Sequence, residues 1–471
     1  MEYGIFSIIP PVLTIVLALV LKNVYVALLS GIFLASLTLA GGNIIVGLNS
    51  SFYGIVKTFA GSGNVIVILS ILMIGAFIHL IERSGGVKGF MEMMVEKRSI
   101  ISSKKTAAFF TWLLGIIVFT SGSLSCMLTG SVARPLNDSM KVSHEKAAFL
   151  VHTTSTPWCV LLPLSGWLAA MVGYLTSGGV NEADAINTLL ASIPLNFYCI
   201  IAVVFALLST FLPLDFGPMR QAEKRADTTG ELDDPETSSA SRKSKVEDIP
   251  DMKPHAINMF LPILIMVGTI LAVLIVTGKG NPTRGSGMQA LLWGCSISLL
   301  SICFMCLVER VFTLEELTSE VLDGMKGMLP IAIVLTLAFT MGTLVKGLDT
   351  GHYLSSLFAG FLTPALLPAL TFIMAMLLSF ATGTSMGTMA IMAVLALPMA
   401  INMYVNIPLT AGALFGGSIF GDHASPVSDT TIMSCASTGC DIMDHIKTQM
   451  PYVLCFAGIS LVLYIILGFI M

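Results

Sequence analysis

Charge is what this chain has least of. Asp, Glu, Lys and Arg together make up 11% of 471 residues, where soluble domains carry about 25%. With 55% hydrophobic residues and a mean hydropathy of +0.88, that deficit excludes a soluble globular protein. The formal net charge of −4 gives no basic surplus for a nucleic-acid partner. No glycine-rich phosphate loop is present, which excludes ATP as the energy source, and no organic cofactor is expected. The nine cysteines sit mostly inside apolar runs, as Cys199, Cys295 and Cys455 do, which is no disulfide framework. Cys303 and Cys306 have CxxC spacing, but lie on one apolar stretch without a second ligand pair. Met1-Glu2-Tyr3 has no basic residue and no cleavage site follows the first apolar run; that run reads as a retained span, not a signal peptide.

What remains is an all-α polytopic membrane protein. Runs able to cross about 30 Å of hydrocarbon fall near 4–21, 24–40, 64–82, 145–176, 188–213, 256–277, 288–307, 329–346, 407–429 and 450–471. Two more apolar stretches, 105–140 and 364–404, fold about Thr120-Ser121-Gly122-Ser123 and Thr382-Gly383-Thr384-Ser385. Their arms, about 15 residues each, are short for a span and read as re-entrant helical hairpins. Residues 214–255 are polar, carry both charge signs and contain Pro218, Pro235, Pro250 and Pro254. They read as a cytoplasmic linker between residues 1–213 and residues 256–471.

The two halves resemble each other. Phe119-Thr-Ser-Gly-Ser recurs as Phe380-Ala-Thr-Gly-Thr. Pro135, Met140 and Val142 then match Pro398, Met403 and Val405, and Ser155, Pro163 and Ser165 match Ser418, Pro426 and Ser428. Each half orders three spans, a hairpin, an interrupted span and a closing span. Five crossings per half is an odd number, so the second half is expected to be inverted, a recurring construction of secondary transporters. With the linker in the cytoplasm, Lys22, Arg83, Lys88, Lys97, Arg98, Lys104, Lys105, Arg134, Lys141, Lys146, Arg310, Lys326 and Lys447 fall inside. Only Lys57, Lys279, Arg284 and Lys346 fall outside. That asymmetry places both termini outside and opens the two hairpins to opposite sides.

The interrupted spans carry the chemistry. The first reads His152-Thr153-Thr154-Ser155-Thr156-Pro157-Trp158, where the proline removes an amide donor and is expected to break the helix. The second reads Gly421-Asp422-His423-Ala424-Ser425-Pro426-Val427-Ser428-Asp429-Thr430-Thr431, with the next helix expected to start at Thr430. Polar, irregular backbone at this depth is tolerated where it faces a packed interior or a wet cavity. Ionisable groups there mark an ion or substrate path. Freed carbonyls, the hydroxyls of Thr153, Thr154, Ser155 and Thr156, and the tip at Ser121, Gly122 and Ser123 form one oxygen-rich set. Thr382, Gly383, Thr384 and Ser385 with Asp422, Ser425, Ser428, Asp429 and Thr430 form the other. Such oxygens suit a hard cation, Na+, with Asp429, Ser428 and Ser425 as its expected ligands. Asp429, Asp422, His152 and His423 are the candidate proton carriers. His79, alone on an apolar helix, reads as a packing residue, and His144, His255, His352 and His445 as loop residues.

The stretch Phe420-Gly-Asp-His-Ala-Ser-Pro-Val-Ser-Asp-Thr-Thr-Ile, with Gly439-Cys-Asp and His445-Ile-Lys-Thr-Gln-Met-Pro-Tyr, resembles the NhaC-type Na+/H+ antiporter family of the ion transporter superfamily. The resemblance in element order covers nearly the whole chain. It implies an elevator-type transporter with a scaffold and a mobile unit carrying sodium, and suggests a homodimer through surfaces near 24–40 and 288–307. The motif positions matched here are Gly421, Asp422, Ser425, Pro426, Ser428, Asp429, Thr430 and Thr431. Relatives are expected to have an acidic residue where this chain has His152, which adds weight to a neutral amino acid or small carboxylate as the exchanged solute. The expectation is a sodium-coupled secondary transporter in a bacterial-type cytoplasmic (inner) membrane. Its alternatives are strict Na+/H+ antiport and sodium-driven solute transport. An intramembrane hydrolase using Asp422, His423 and Ser425 is the competing class, but no nucleophile elbow is present.

Overall fold

A computed structural model describes residues 3–21, 23–89, 103–119, 122–162, 167–234, 255–281, 285–358 and 363–471. Among these residues every regular element is a helix. The first half contains α1 (Ile9–Leu21), α2 (Val24–Leu39), α3 (Ile44–Thr58) and α4 (Ser62–Arg83). It continues with α5 (Lys104–Ile117), α6 (Gly122–Ser139), α7 (His144–Leu161), α8 (Trp167–Ser177), α9 (Ala185–Ser192) and α10 (Phe197–Phe211). Helix α11 (Gly217–Thr228) follows, then α12 (Ile257–Thr277), α13 (Gly287–Val308), α14 (Leu314–Gly347) and α15 (Thr350–Phe358). The chain ends with α16 (Leu367–Thr382), α17 (Ser385–Asn402), α18 (Ile407–Ala424), α19 (Asp429–Thr438) and α20 (Ile442–Ile470).

Seven of these helices are long and apolar enough to cross a membrane, or eight if the pair 185–195 and 197–211, bent by 48°, is one span. The chain is a multi-pass membrane protein. Helices α1, α2 and α8 are apolar but short, so they fall below the length the sequence reading assigned to full crossings. Helices α12, α13 and α20 turn Leu264, Val276, Leu300, Phe304 and Ile470 outward, the pattern of a surface solvated by lipid. By contrast, α7 and α18 are buried along nearly their whole length. The packing puts those two polar-rich helices at the centre, where their hydroxyls can be satisfied within the protein.

At each stretch read as a hairpin two helices pack together, α5 with α6 and α16 with α17. Helices α16 and α17, however, expected to be short for a span, are among the seven helices long and apolar enough to cross a membrane. Ser103 opens α5 with a reciprocal cap to Thr106. In the second hairpin, Gly383 turns the chain at φ 68° and Thr384 caps α17 by accepting from Gly387 N. A β-carbon on Gly383 would lie 2.7 Å from Val427 Cγ2, so only glycine lets this tip rest on the interruption between α18 and α19. In the first hairpin the tip residues Thr120 and Ser121 lie outside the described residues.

Several expectations need correction. The first interrupted span breaks after Leu161, not at His152–Trp158: α7 runs through Pro157 unbroken. A proline removes a single backbone donor, and the flanking turns packed on all sides keep the helix. Pro163 and Ser165 lie outside the described residues. In the second span α18 stops at Ala424, Ser425–Ser428 are irregular, and α19 starts at Asp429 with Ser428 as N-cap, so Asp429 is not the cap. His144, His352 and His445 are helical, in α7, α15 and α20. His79 does hydrogen-bond another chain segment, Glu320, at 2.7 Å.

Three helices, α3, α11 and the short α15, have no counterpart in the sequence reading. Helix α3 exposes Ile44, Ile45, Phe52 and Tyr53. Helix α11 occupies the start of the linker and docks through ion pairs. Glu223 and Asp227 meet Lys104 at 3.0 and 2.8 Å, and Arg225 meets the buried Glu145 at 2.7 Å. Lys146 reaches Asp215 at 2.6 Å, and Tyr452 donates to the same carboxylate at 2.9 Å. Linker residues 235–254 lie outside the described residues.

Candidate functional site: a carboxylate pair at a helix break

Four elements converge on the interruption at Ser425–Ser428. A β-carbon on Gly122, at the start of α6, would stand 3.0 Å from Thr156 Oγ1 and 3.3 Å from Thr430 Cγ2, so this tip presses on both α7 and α19. The Gly383 tip meets Val427 from the other hairpin. The irregular backbone is satisfied locally: Thr431 Oγ1 donates to Ser425 O at 2.9 Å, and Ser428 N to the same carbonyl at 3.3 Å.

The two carboxylates of the motif differ in setting. Asp422, buried near the end of α18, accepts from Ser428 Oγ at 2.7 Å and from Thr430 Oγ1 at 3.1 Å. Asp429, the first residue of α19, is exposed to the adjoining cavity and accepts a hydrogen bond from Ser123 Oγ. At a helix start its charge also complements the positive end of the dipole.

Behind Asp422 lies a buried histidine cluster. His152 Nε2 is 3.0 Å from Thr430 Oγ1, and His152 Nδ1 is 3.0 Å from His445 Nε2. Thr430 has one hydroxyl proton, donated to Asp422, so His152 Nε2 acts as donor and its Nδ1 as acceptor. His423 lies edge-on to His152, with ring centroids 4.7 Å apart. Its ring nitrogens meet Thr153 Oγ1 at 3.0 Å and Tyr198 Oη at 2.9 Å. Gln449 Nε2 donates to His423 O.

The anticipated residues therefore separate into two groups. Gly122, Ser123, Thr382, Thr384, Ser385, Asp422, Asp429 and Thr430 line one cavity of about 480 Å³. Thr153 and Ser428 stand one layer back, bonded to His423 and Asp422. Thr154 is turned away, packed on Gly115 and donating to Leu150 O at 2.8 Å. Ser155 donates to His152 O at 2.8 Å and meets Cys126 Sγ of α6 at 2.8 Å, and Thr156 is buried against Gly122. Ser425 Oγ accepts from Val427 N at 3.4 Å within the break. Ser121 lies outside the described residues.

Part of the cavity's lining was not anticipated. Asn23, Tyr25, Met328, Pro330 and Val334 come from the start of α2 and the middle of α14, and Trp167 from α8. Nothing in their local sequence distinguishes them from packing residues. Tyr198 was missed for the same reason, whereas Gln449 falls in the quoted motif but was given no role. Among the described residues no group of three or more His, Cys, Asp or Glu side chains forms a metal-ion cluster.

A cavity flanked by two hairpin tips and a helix break, within a lipid-facing shell, belongs to a membrane transporter for ions or small molecules, not to an enzyme. The Na+/H+ antiporter family, taken as a sequence profile, matches residues 158–469, and this chain belongs to that family. A Haemophilus influenzae protein without an assigned activity is 29% identical over 99% of this chain and 91% of its own length. The arginine/ornithine antiporter ArcD of Halobacterium salinarum is 28% identical over 46% of this chain and 43% of its own. The Na+/H+ antiporter NhaC of Alkalihalophilus pseudofirmus is 28% identical over 33% of each. Among solved structures, Neisseria gonorrhoeae MtrF, presented as illuminating a class of antimetabolite efflux pumps, superposes with a TM-score of 0.59. That superposition covers 89% of this chain and 84% of the other at 14% identity, a likeness of fold alone. The relatives with assigned activities are antiporters, and this chain is a secondary transporter of that kind.

Proposed function

We propose that this chain is a sodium-coupled antiporter of the cytoplasmic (inner) membrane, in which one cation site alternates between the two sides. Na+ is cargo: carboxylate and hydroxyl oxygens of Asp429, Asp422, Ser123 and Thr430 replace its hydration. A proton on the same carboxylates competes with Na+, and competition for one site is what couples the two ions. The observation that carries this reading is the pair of carboxylates on either side of one helix break, at one cavity, each bonded to a hydroxyl from a neighbouring element or turn.

Two inverted repeats working as an elevator fit the same picture. Each half sets a helix pair (α5–α6, α16–α17) ahead of an interrupted pair (α7–α8, α18–α19) and a closing helix (α10, α20). The base of the first hairpin bonds the linker helix through Lys104, whereas Leu367, Met399 and Ala400 at the base of the second pack with Ile8. Opposite facing of the hairpins follows if linker and N-terminus lie on opposite sides.

Strict Na+/H+ exchange and exchange of Na+ against an organic solute both fit this site. The size of the cavity favours the second. Reconstitution into liposomes tests the proposal, with radiosodium flux and internal pH read together under an imposed Na+ gradient. Sodium flux that depends on an opposing proton or solute gradient, and falls in Asp429→Asn, supports it. Flux of Na+ down its gradient with no counter-substrate would refute it in favour of a channel.

A further inference from the structure

We infer that the cavity beside Asp429 carries a small organic solute with a protonated amine on an apolar body. The inference rests on the antiport reading above and names the solute class of that same site. The first observation is size. About 480 Å³ equals the liquid volume of about sixteen waters and falls among pockets for small organic ligands, which start at about 300 Å³. A sodium ion alone leaves most of that space unfilled.

The second observation is charge. Asp422 and Asp429 both line the cavity, and no Lys, Arg or His among the described residues does. In antiport the solute occupies this site after Na+ has left it, so the carboxylates then take their counter-charge from the solute itself. A solute bearing only carboxylates would add like charge to a site already negative, whereas an ammonium group completes the balance.

The third observation is the apolar part of the lining. Tyr25, Trp167, Met328, Val334 and Met386 line the same cavity as the carboxylates and give it an apolar share. Such a lining takes a hydrocarbon body, and its aromatic rings favour a nearby cation. Asn23 and Ser385 supply neutral hydrogen-bonding groups at the same cavity. The shared chemistry is thus an ammonium with an apolar body, available from free amines and from amino acids alike.

The test uses the full-length protein in liposomes loaded with radiosodium. Aliphatic, aromatic and hydroxylated amino acids are supplied outside, together with the amines left by their decarboxylation and the acids left by their deamination. Some amine-bearing compounds are expected to accelerate Na+ exit at least tenfold over buffer, and the deaminated acids to do nothing. Amino acids active without their amines identify the zwitterion as the solute, and the reverse identifies the free amine. Asp429→Asn should weaken half-saturation by the active compound at least tenfold. Trp167→Leu, which keeps an apolar wall, should weaken it while leaving half-saturation by Na+ within threefold. Acceleration by deaminated acids equal to that by amino acids would overturn the inference. So would proton-coupled Na+ flux that no amine-bearing compound alters, an outcome that leaves the antiport reading intact. Absence of any coupled Na+ flux would instead remove the antiport reading on which the inference rests.

Discussion

Replacing Asp422 by Asn separates the electrostatic role of this buried carboxylate from its structural one. Asp422 accepts two hydroxyl hydrogen bonds, at 2.7 Å from Ser428 and 3.1 Å from Thr430. Asparagine retains an acceptor for Ser428, and its amide group can donate to Thr430 Oγ1 once that hydroxyl rotates. Hydrogen bonds to a charged partner are worth about 1.5–3 kcal/mol and neutral ones about 1 kcal/mol, so folding loses on the order of 2 kcal/mol. Removing a full charge from a buried side chain also relieves desolvation, which offsets part of that loss. Cation binding has no such offset. A unit charge at about 4 Å with an effective dielectric near 20 contributes about 4 kcal/mol, or about three decades in affinity. The purified Asn variant should therefore keep its gel-filtration profile and melt within a few degrees of the parent. Half-activation by Na+ in liposomes should move upward by roughly a thousandfold, beyond the reach of ordinary salt. A Na+ activation curve within threefold of the parent's would show that Asp422 is a structural acceptor and leave Asp429 as the cation carboxylate.

Three other outcomes follow from the geometry. Gly383→Ala should slow transport without abolishing insertion, because a β-carbon at φ 68° lies 2.7 Å from Val427 and left-handed backbone costs about 1–2 kcal/mol for a non-glycine residue; unaltered turnover would mean that this tip does not bear on the break. Cysteines at Ser123 and Thr384, which line one cavity, should both be labelled by an impermeant reagent and both be protected by Na+; labelling of both that Na+ does not alter would remove the cation from this cavity. His144, at the mouth of α7, is penalised by burial, but hydrogen bonds to Asp138 and Asp233 outweigh this and raise it to about 9. The folded protein thus holds this proton more tightly than the unfolded chain, so the stabilisation is complete below about pH 6.5 and is lost as pH rises through about 9. Melting temperature in detergent should fall across that window, and the fall should shrink in His144→Gln; an unchanged fall would assign it to other groups.

Length and composition by themselves determined that this is a helical membrane protein, because helices satisfy their own backbone and apolar runs have a fixed crossing length. The turn at Gly383 and the second helix break were equally legible, since Gly383 and Ser425-Pro426 act through local backbone rules that hold wherever the chain is placed. The first break was not. Pro157 predicts an interruption from local rules, yet tight packing around α7 carries the helix through to Leu161, and burial on every side is a property of neighbours distant in sequence. The same reason explains His445, which reads as a loop residue in isolation and is wholly buried against His152 only because α20 crosses α7. The sequence named both Asp422 and Asp429 but could not rank their exposure, which depends on how Ser428 and Thr430 fold back over one and Ser123 reaches the other. The wall formed by Tyr25, Trp167 and Met328 was decided by tertiary structure alone. An aromatic or methionine in an apolar helix looks the same to the sequence whether it meets lipid, another helix or a cavity.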